Sequence, residues 1–150
     1  MHFLVVLFGA KYIMINVEFE KKWIATFATN LTAQERERVG IGTDKGYLWH
    51  AFSYGLVPAL VGDEARNAFN VIEKDGASEF FYDFRCAPLR CSKKLEKLSL
   101  KHFTAEGIDT DENAVELYII GKNWEWCYIV THEESLGLGP YFCCADPKEK

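Results

Sequence analysis

The chain has 150 residues, a formal net charge of −5 and a pI of about 5.4. This length predicts one domain that buries a core without metals or disulfides. The acidic balance argues against nucleic-acid binding, which needs basic groups to neutralise phosphates, and it is compatible with a basic protein partner. We expect no membrane segment and a cytoplasmic location.

The N-terminus carries the apolar run Phe3–Phe8, which is too short to span a membrane and has no basic segment before it. Three interpretations stay open: a buried or edge strand, a degenerate signal, or sequence upstream of a native start at Met14. A helix start follows at once, which favours the third. We therefore divide the chain into an apolar extension (1–15), a single globular domain (16–144) and a polar tail (145–150).

Helical patterns fill the first half of the domain. An aromatic residue at every fourth position predicts an amphipathic helix over residues 17–28, with its rings in the core: Phe19, Trp23 and Phe27. Thr32-Ala33-Gln34-Glu35 matches a capping box and predicts a short helix that Gly40 ends. Another amphipathic helix follows Gly62. The aromatic-rich segment 47–54 is ambiguous between strand and helix.

A hairpin is predicted where Val115–Ile120 and Trp124–Thr131 flank the turn Gly121-Lys122-Asn123. The second of these strands has apolar groups on both faces, which indicates a central strand. Shorter strands are predicted at Glu79–Phe84 and Tyr141–Cys143.

The segment Cys86–Leu100 is basic and less regular, and Ser92 could cap a short helix within it. Because helices come mostly early and strands mostly late, we predict an α+β fold. It would have an antiparallel sheet of four to five strands, with three to four helices packed mainly on one face.

The five cysteines are an odd number without a clear export signal, which indicates reduced thiols. Cys127 lies in a predicted strand and should be a small buried hydrophobe. The other four lack the two-plus-two spacing of a zinc knuckle, although a disulfide between the early and the late pair stays open: Cys86, Cys91, Cys143 and Cys144. This spacing leads us to predict no metal. No dinucleotide fingerprint or Walker sequence occurs, so we predict no nucleotide cofactor, and no other cofactor is expected.

His132-Glu133-Glu134 follows the second hairpin strand, and an imidazole beside carboxylates suits acid–base work. Neighbouring side chains diverge on a strand, so their contact cannot be assumed. His50 is a second candidate base. An enzymatic reading would therefore use His50, His132 and Glu133 in a small hydrolase-like site.

Several segments together resemble the YxiF-like family of small uncharacterised bacterial proteins. They are Trp49-His50-Ala51-Phe52-Ser53-Tyr54, Glu64-Ala65, Trp126-x-Tyr128-x-Val130-Thr131-His132-Glu133 and Gly139-Pro140-Tyr141-Phe142. The resemblance covers residues 16–143 and implies no established activity. Some members lie among toxin and immunity genes, which implies a toxin-neutralising role.

The sequence is compatible with two functions. The first is a non-enzymatic protein-binding domain, an immunity-type inhibitor that occludes a basic toxin, with aromatic anchors and carboxylates as the contact set: Trp49, His50, Trp124, Glu125, Trp126, His132, Glu133, Glu134 and Tyr141. It requires an exposed acidic face that holds aromatics. The second is the hydrolase-like enzyme, which requires its acid–base groups to converge. A homodimer through the aromatic sheet is compatible with both.

Overall fold

The computed structural model describes residues 18–41, 46–74, 78–85, 90–98, 104–107 and 116–146. Over 78–85 and 90–98 it describes the backbone alone. The predictions made for Phe3–Phe8, for a start at Met14, for Cys86 and for the tail beyond residue 146 lie outside these ranges.

Within the described residues, six strands form one antiparallel sheet: β1 (Leu60–Val61), β2 (Ser78–Arg85), β3 (Arg90–Leu98), β4 (Glu116–Ile120), β5 (Trp126–Val130) and β6 (Tyr141–Cys144). Their spatial order is β1-β6-β5-β4-β2-β3. β4, β5 and β6 are consecutive in the chain and adjacent in the sheet, so they form a meander. β5 has a neighbour on each side, which confirms the central strand predicted from its apolar faces.

The predicted α+β class is confirmed, and the additional strands lie at the edges of the sheet. β3 occupies the segment for which a short helix was considered. It pairs with β2 from Arg85↔Arg90 to Ser78↔Leu98, so strand pairing overrides a weak local pattern. β1 has two residues, which is too short a segment to be predicted from a sequence pattern.

Four α-helices are described: α1 (residues 18–27), α2 (Ala33–Val39), α3 (His50–Ser53) and α4 (Asp63–Val71). The capping box of α2 is confirmed, since the Glu35 N–H donates to Thr32 Oγ1 at 3.1 Å and the Thr32 N–H donates to Glu35 Oε2 at 2.9 Å. Gly40 ends α2 with φ 76°, the left-handed conformation that glycine adopts without strain. The ambiguous segment 47–54 is helical at α3. Three 3-10 turns complete the described elements: Ala105–Gly107, Lys122–Trp124 and Glu134–Leu136.

The described side chains form two cores on opposite faces of the sheet. The larger packs α1, α2 and α3 against one set of strand positions, including Tyr118, Cys127 and Ile129. The smaller packs α4 against the alternate set, and Phe69 stacks on Tyr128 with ring centroids 4.3 Å apart. Three of the four helices therefore share one face, as expected.

The β4–β5 hairpin is confirmed, with a longer connection than predicted. The strands stop at Ile120 and resume at Trp126, and a 3-10 turn lies between them. Asn123 and Trp124 both have positive φ, 56° and 60°. Trp124 therefore leaves the strand and packs between Phe19 and Phe27 of α1.

Gly121 lies directly against the indole of Trp126. A Cβ at this position would lie 2.3 Å from Cε2 and Nε1 of the ring, which is buried in the smaller core. We expect Gly121→Ala to lower the free energy of unfolding by about 2 kcal/mol, because a packed ring must shift. Urea unfolding measures the loss. The matched control is the same change in a Trp126→Leu background, where it should cost much less; an equal cost in both backgrounds would rule out the clash.

Candidate functional site

A buried carboxylate and an imidazole meet where β4 begins and β5 ends. Glu116 is the first residue of β4 and is fully buried. The pairing of Leu117 with Val130 brings the start of β4 level with the residues that follow β5. His132 lies there, and its Nδ1 is 2.5 Å from Glu116 Oε1. Glu116 therefore fixes the orientation of the imidazole, as a carboxylate beside Nδ1 does for many functional histidines.

The other imidazole nitrogen is directed toward the surface. His132 Nε2 lies 3.6 Å from Glu133 Oε1, and the two side chains are 39% and 35% exposed. The imidazole thus lies between a buried and a half-exposed carboxylate. A protonated His132 directs one N–H group at each of them, whereas a neutral His132 has a single N–H group.

The loop after β5 is held by short polar contacts. The hydroxyl of Thr131 donates to the carbonyl of Leu138, and the Glu133 N–H donates to Thr131 Oγ1 at 3.3 Å. Glu134 accepts a hydrogen bond from Arg66 of α4 at 3.3 Å, and Arg66 also pairs with Asp63 at 2.8 Å. These contacts keep His132 and Glu133 in place beside Glu116.

A row of rings continues from His132 across the surface. Tyr47 contacts His132 with ring centroids 5.3 Å apart, and contacts His50 at 5.5 Å. His50 in turn contacts Tyr54 at 5.6 Å, and Tyr54 is 62% exposed. We call this set the His132 strip: Tyr54, His50, Tyr47, His132 and Glu133. Every member is at least partly exposed, so the strip is a continuous surface of rings that ends in a carboxylate.

His50 is oriented by the backbone. Its Nδ1 lies 3.1 Å from the Val39 carbonyl oxygen and 3.4 Å from the Tyr47 nitrogen. Nδ1 can donate to the first or accept from the second, and not both at once. The Nδ1 atom of His50 therefore lies beside backbone groups of Val39 and Tyr47, whereas both ring nitrogens of His132 lie beside carboxylates. Both histidines of the enzymatic reading contact the Tyr47 ring, and Glu133 lies beside His132.

The other predicted contact residues separate into two groups. Trp49, Trp126 and Tyr141 are core residues, 1%, 4% and 4% exposed. Trp124 and Glu125 lie at the hairpin end of β5, at least about 14 Å along the strand from the His132 loop. The predicted set is thus not one surface.

A family model for a domain of unknown function, DUF4275, matches residues 10–142. The chain belongs to the DUF4275 family. The DUF4275 domain of this chain accordingly spans nearly all of the described fold, including every residue of the His132 strip. No curated protein and no solved structure matches the chain.

Three residues of this site in the DUF4275 domain were missed by sequence reasoning: Tyr47, Tyr54 and Glu116. A signal for Glu116 was present, because it is the charged residue at the start of an otherwise apolar strand. The two tyrosines carried no such signal, since their segment could not be assigned to strand or helix.

The described part of the DUF4275 domain contains neither a group of metal ligands nor a membrane-spanning helix. Within 18–41, 46–74 and the other described ranges, no group of three His, Cys, Asp or Glu side chains is placed to hold a metal ion. Among the same residues, none of the helices has the length and apolar character needed to cross a bilayer.

Proposed function

We propose that this DUF4275 domain binds a basic protein through the His132 strip, as an immunity-type inhibitor of a basic toxin. The observation that carries the proposal is the run of ring contacts from exposed Tyr54 to His132, which ends at the half-exposed carboxylate of Glu133. An acidic face that holds aromatics is what such binding requires. The strip supplies exposed rings beside the half-exposed carboxylate of Glu133, and three of its five members belong to the predicted contact set: His50, His132 and Glu133.

The chemistry of the strip suits a guanidinium or ammonium group. Such a cation can lie over a tyrosine face while a carboxylate receives its N–H groups. Tyrosine is also enriched at binding hot spots, because it adds contact area at a low cost in side-chain entropy. The net charge of −5 would speed encounter with a basic partner. Inhibition would follow by occlusion of the partner's basic surface.

The test is affinity capture at low salt from an extract of the native cell, with quantitative mass spectrometry of the eluate. We expect one stoichiometric basic protein, released as salt rises. Tyr54→Ala should weaken its retention by 10-fold or more, and Glu133→Gln by several-fold. Val71→Ala and Glu37→Gln are matched controls, since both side chains are exposed outside the strip. Equal loss with the controls, or retention by all variants, would refute the strip as the contact surface.

A second candidate function is acid–base catalysis, and the Glu116–His132 contact favours it. Glu116 would be the positioning residue, and His132 Nε2 would take a proton from a bound water or substrate hydroxyl. Glu133 would stabilise the resulting imidazolium or bind a substrate cation, and the imidazolium would return its proton to the leaving group.

A panel of ester, amide and phosphoester substrates tests this candidate. Turnover that His132→Gln abolishes and His50→Gln spares would establish it. A stoichiometric partner without turnover would favour binding.

A further inference from the structure

Cys127 and Cys143 lie directly opposite each other in the β5–β6 pair. Both belong to the larger core, so their side chains are on the same face of the sheet. Both are free thiols, and the Cys127 sulfur accepts a hydrogen bond from the Trp23 indole at 3.4 Å. Two thiols on one face at one register position are neighbours.

The hydrogen-bonding pattern between β5 and β6 gives the distance between the Cα atoms of the two cysteines. The Ala145 N–H donates to the Glu125 carbonyl at 2.8 Å, so 125 and 145 are a hydrogen-bonded pair. Such pairs recur at every second residue, which makes Cys127 and Cys143 the next one. Cα atoms in a hydrogen-bonded pair are about 5.5 Å apart. Disulfides span roughly 4.4–6.8 Å between Cα atoms, so this separation fits. Their Cβ atoms are only about 3.5–4.5 Å apart, closer than the roughly 5.5 Å of a hydrogen-bonded pair, so β5 and β6 must draw together locally for the bond to form.

We propose that Cys127 and Cys143 are a modification site at which a small-molecule disulfide such as oxidised glutathione forms a cross-strand disulfide. One cysteine thiolate attacks the reagent and one thiol leaves. The second cysteine then attacks the mixed disulfide, and the second thiol leaves. Two cysteine sulfurs are oxidised, the reagent is reduced to two thiols, and the two cysteine protons end on them.

Access to these sulfurs requires local opening. Burial raises the pKa of the Cys127 thiol to about 12 and also raises the pKa of Cys143, so the closed form holds both thiols protonated. We expect this local opening of the β5–β6 pair at the end of β6. β1 covers Tyr141 and Phe142, and within the described residues no strand pairs with Cys143 on that outer side. Beyond it, Ala145 and Asp146 hold the segment to Glu125 and Thr29.

The cross-link would close the segment 128–142, which carries His132 and Glu133. Oxidation would therefore restrict the loop that presents the end of the His132 strip. This coupling rests on the proposed function, whereas the disulfide itself does not.

The experiment uses the full reduced chain. It is incubated with oxidised glutathione, unfolded in the presence of an alkylating reagent, and digested for mass spectrometry. We expect a loss of two hydrogen atoms and a linked peptide that joins Cys127 to Cys143. Cys144→Ser, a matched change at an exposed thiol, should still give the link, and Cys143→Ala should abolish it.

Full alkylation of both cysteines, or linkage of either one to Cys144, Cys86 or Cys91, would overturn the proposal. The wild-type measurement stands alone if a variant fails to fold. Hydrogen exchange over 131–138 should slow in the oxidised form, and unchanged exchange would overturn the coupling. Partner capture by the oxidised and reduced forms then tests the proposed function separately from the mass readout.

Discussion

Between pH 9 and pH 12 the free energy of unfolding is expected to fall by about 4 kcal/mol through the thiol of Cys127. Burial raises the pKa of this thiol from 9.0 to about 12. Below pH 9 the thiol is protonated in both states, and its contribution to stability is complete. Above pH 9 the unfolded chain loses the proton while the folded chain keeps it, so stability declines until the pH passes the folded pKa.

The measurement is urea unfolding at half-unit steps from pH 7 to pH 12. Cys143 and Tyr128 have pKa values raised by burial, so they add to the decline in the same direction. Cys127→Ser keeps an acceptor for the Trp23 indole and removes the titrating thiol. It should be less stable at pH 7 and should have a slope shallower by about 1.4 kcal/mol per pH unit above pH 9. The exposed Cys144→Ser is the control. A wild-type slope in Cys127→Ser would contradict the prediction.

His132→Ala is expected to cost about 3 kcal/mol of stability at pH 7, because it removes a histidine partner from a carboxylate that is fully buried. Glu116→Gln should cost less than this, since it removes the buried charge together with the need to pair it. Chemical denaturation of the two single variants and of the double variant forms a thermodynamic cycle.

The cycle should give a coupling energy of at least about 1 kcal/mol between the two side chains. His50→Ala is the matched control, because that ring is oriented by the backbone of Val39 and Tyr47. Additive costs for Glu116 and His132 would show that their contact contributes nothing to folding.

Local signals predicted the interior of this fold better than its edges. The capping box of α2 and the apolar faces of β5 each depend on residues close in sequence, and both are confirmed. β3 has a weak pattern of its own and exists through pairing with β2. The one-turn helix α3 was ambiguous because aromatic residues suit either structure when they are buried.

The sequence predicted part of the site, again because some of its residues carry a local signal. His132 and Glu133 stand out in the sequence as polar residues at the end of a strand. Glu116 joins them only because β4 and β5 pair in a particular register, which sequence does not specify to the residue. The exposed ring of Tyr54 and the buried rings of Trp49 and Tyr141 are chemically alike, so tertiary packing decides which of them reaches the surface.

The β4–β5–β6 meander has a consequence for how the chain folds. Its contacts join strands that are consecutive in sequence, so their loops close at a low entropic cost. By contrast, α1 packs against strands far away in the sequence: Trp23 contacts Cys127, which lies 104 residues further along the chain. We expect the meander to form the folding nucleus and α1 to dock after the rate-limiting step. Ile119→Val should then slow refolding, and Phe27→Leu should mainly speed unfolding in stopped-flow experiments. The opposite pattern would place the nucleus at the helices.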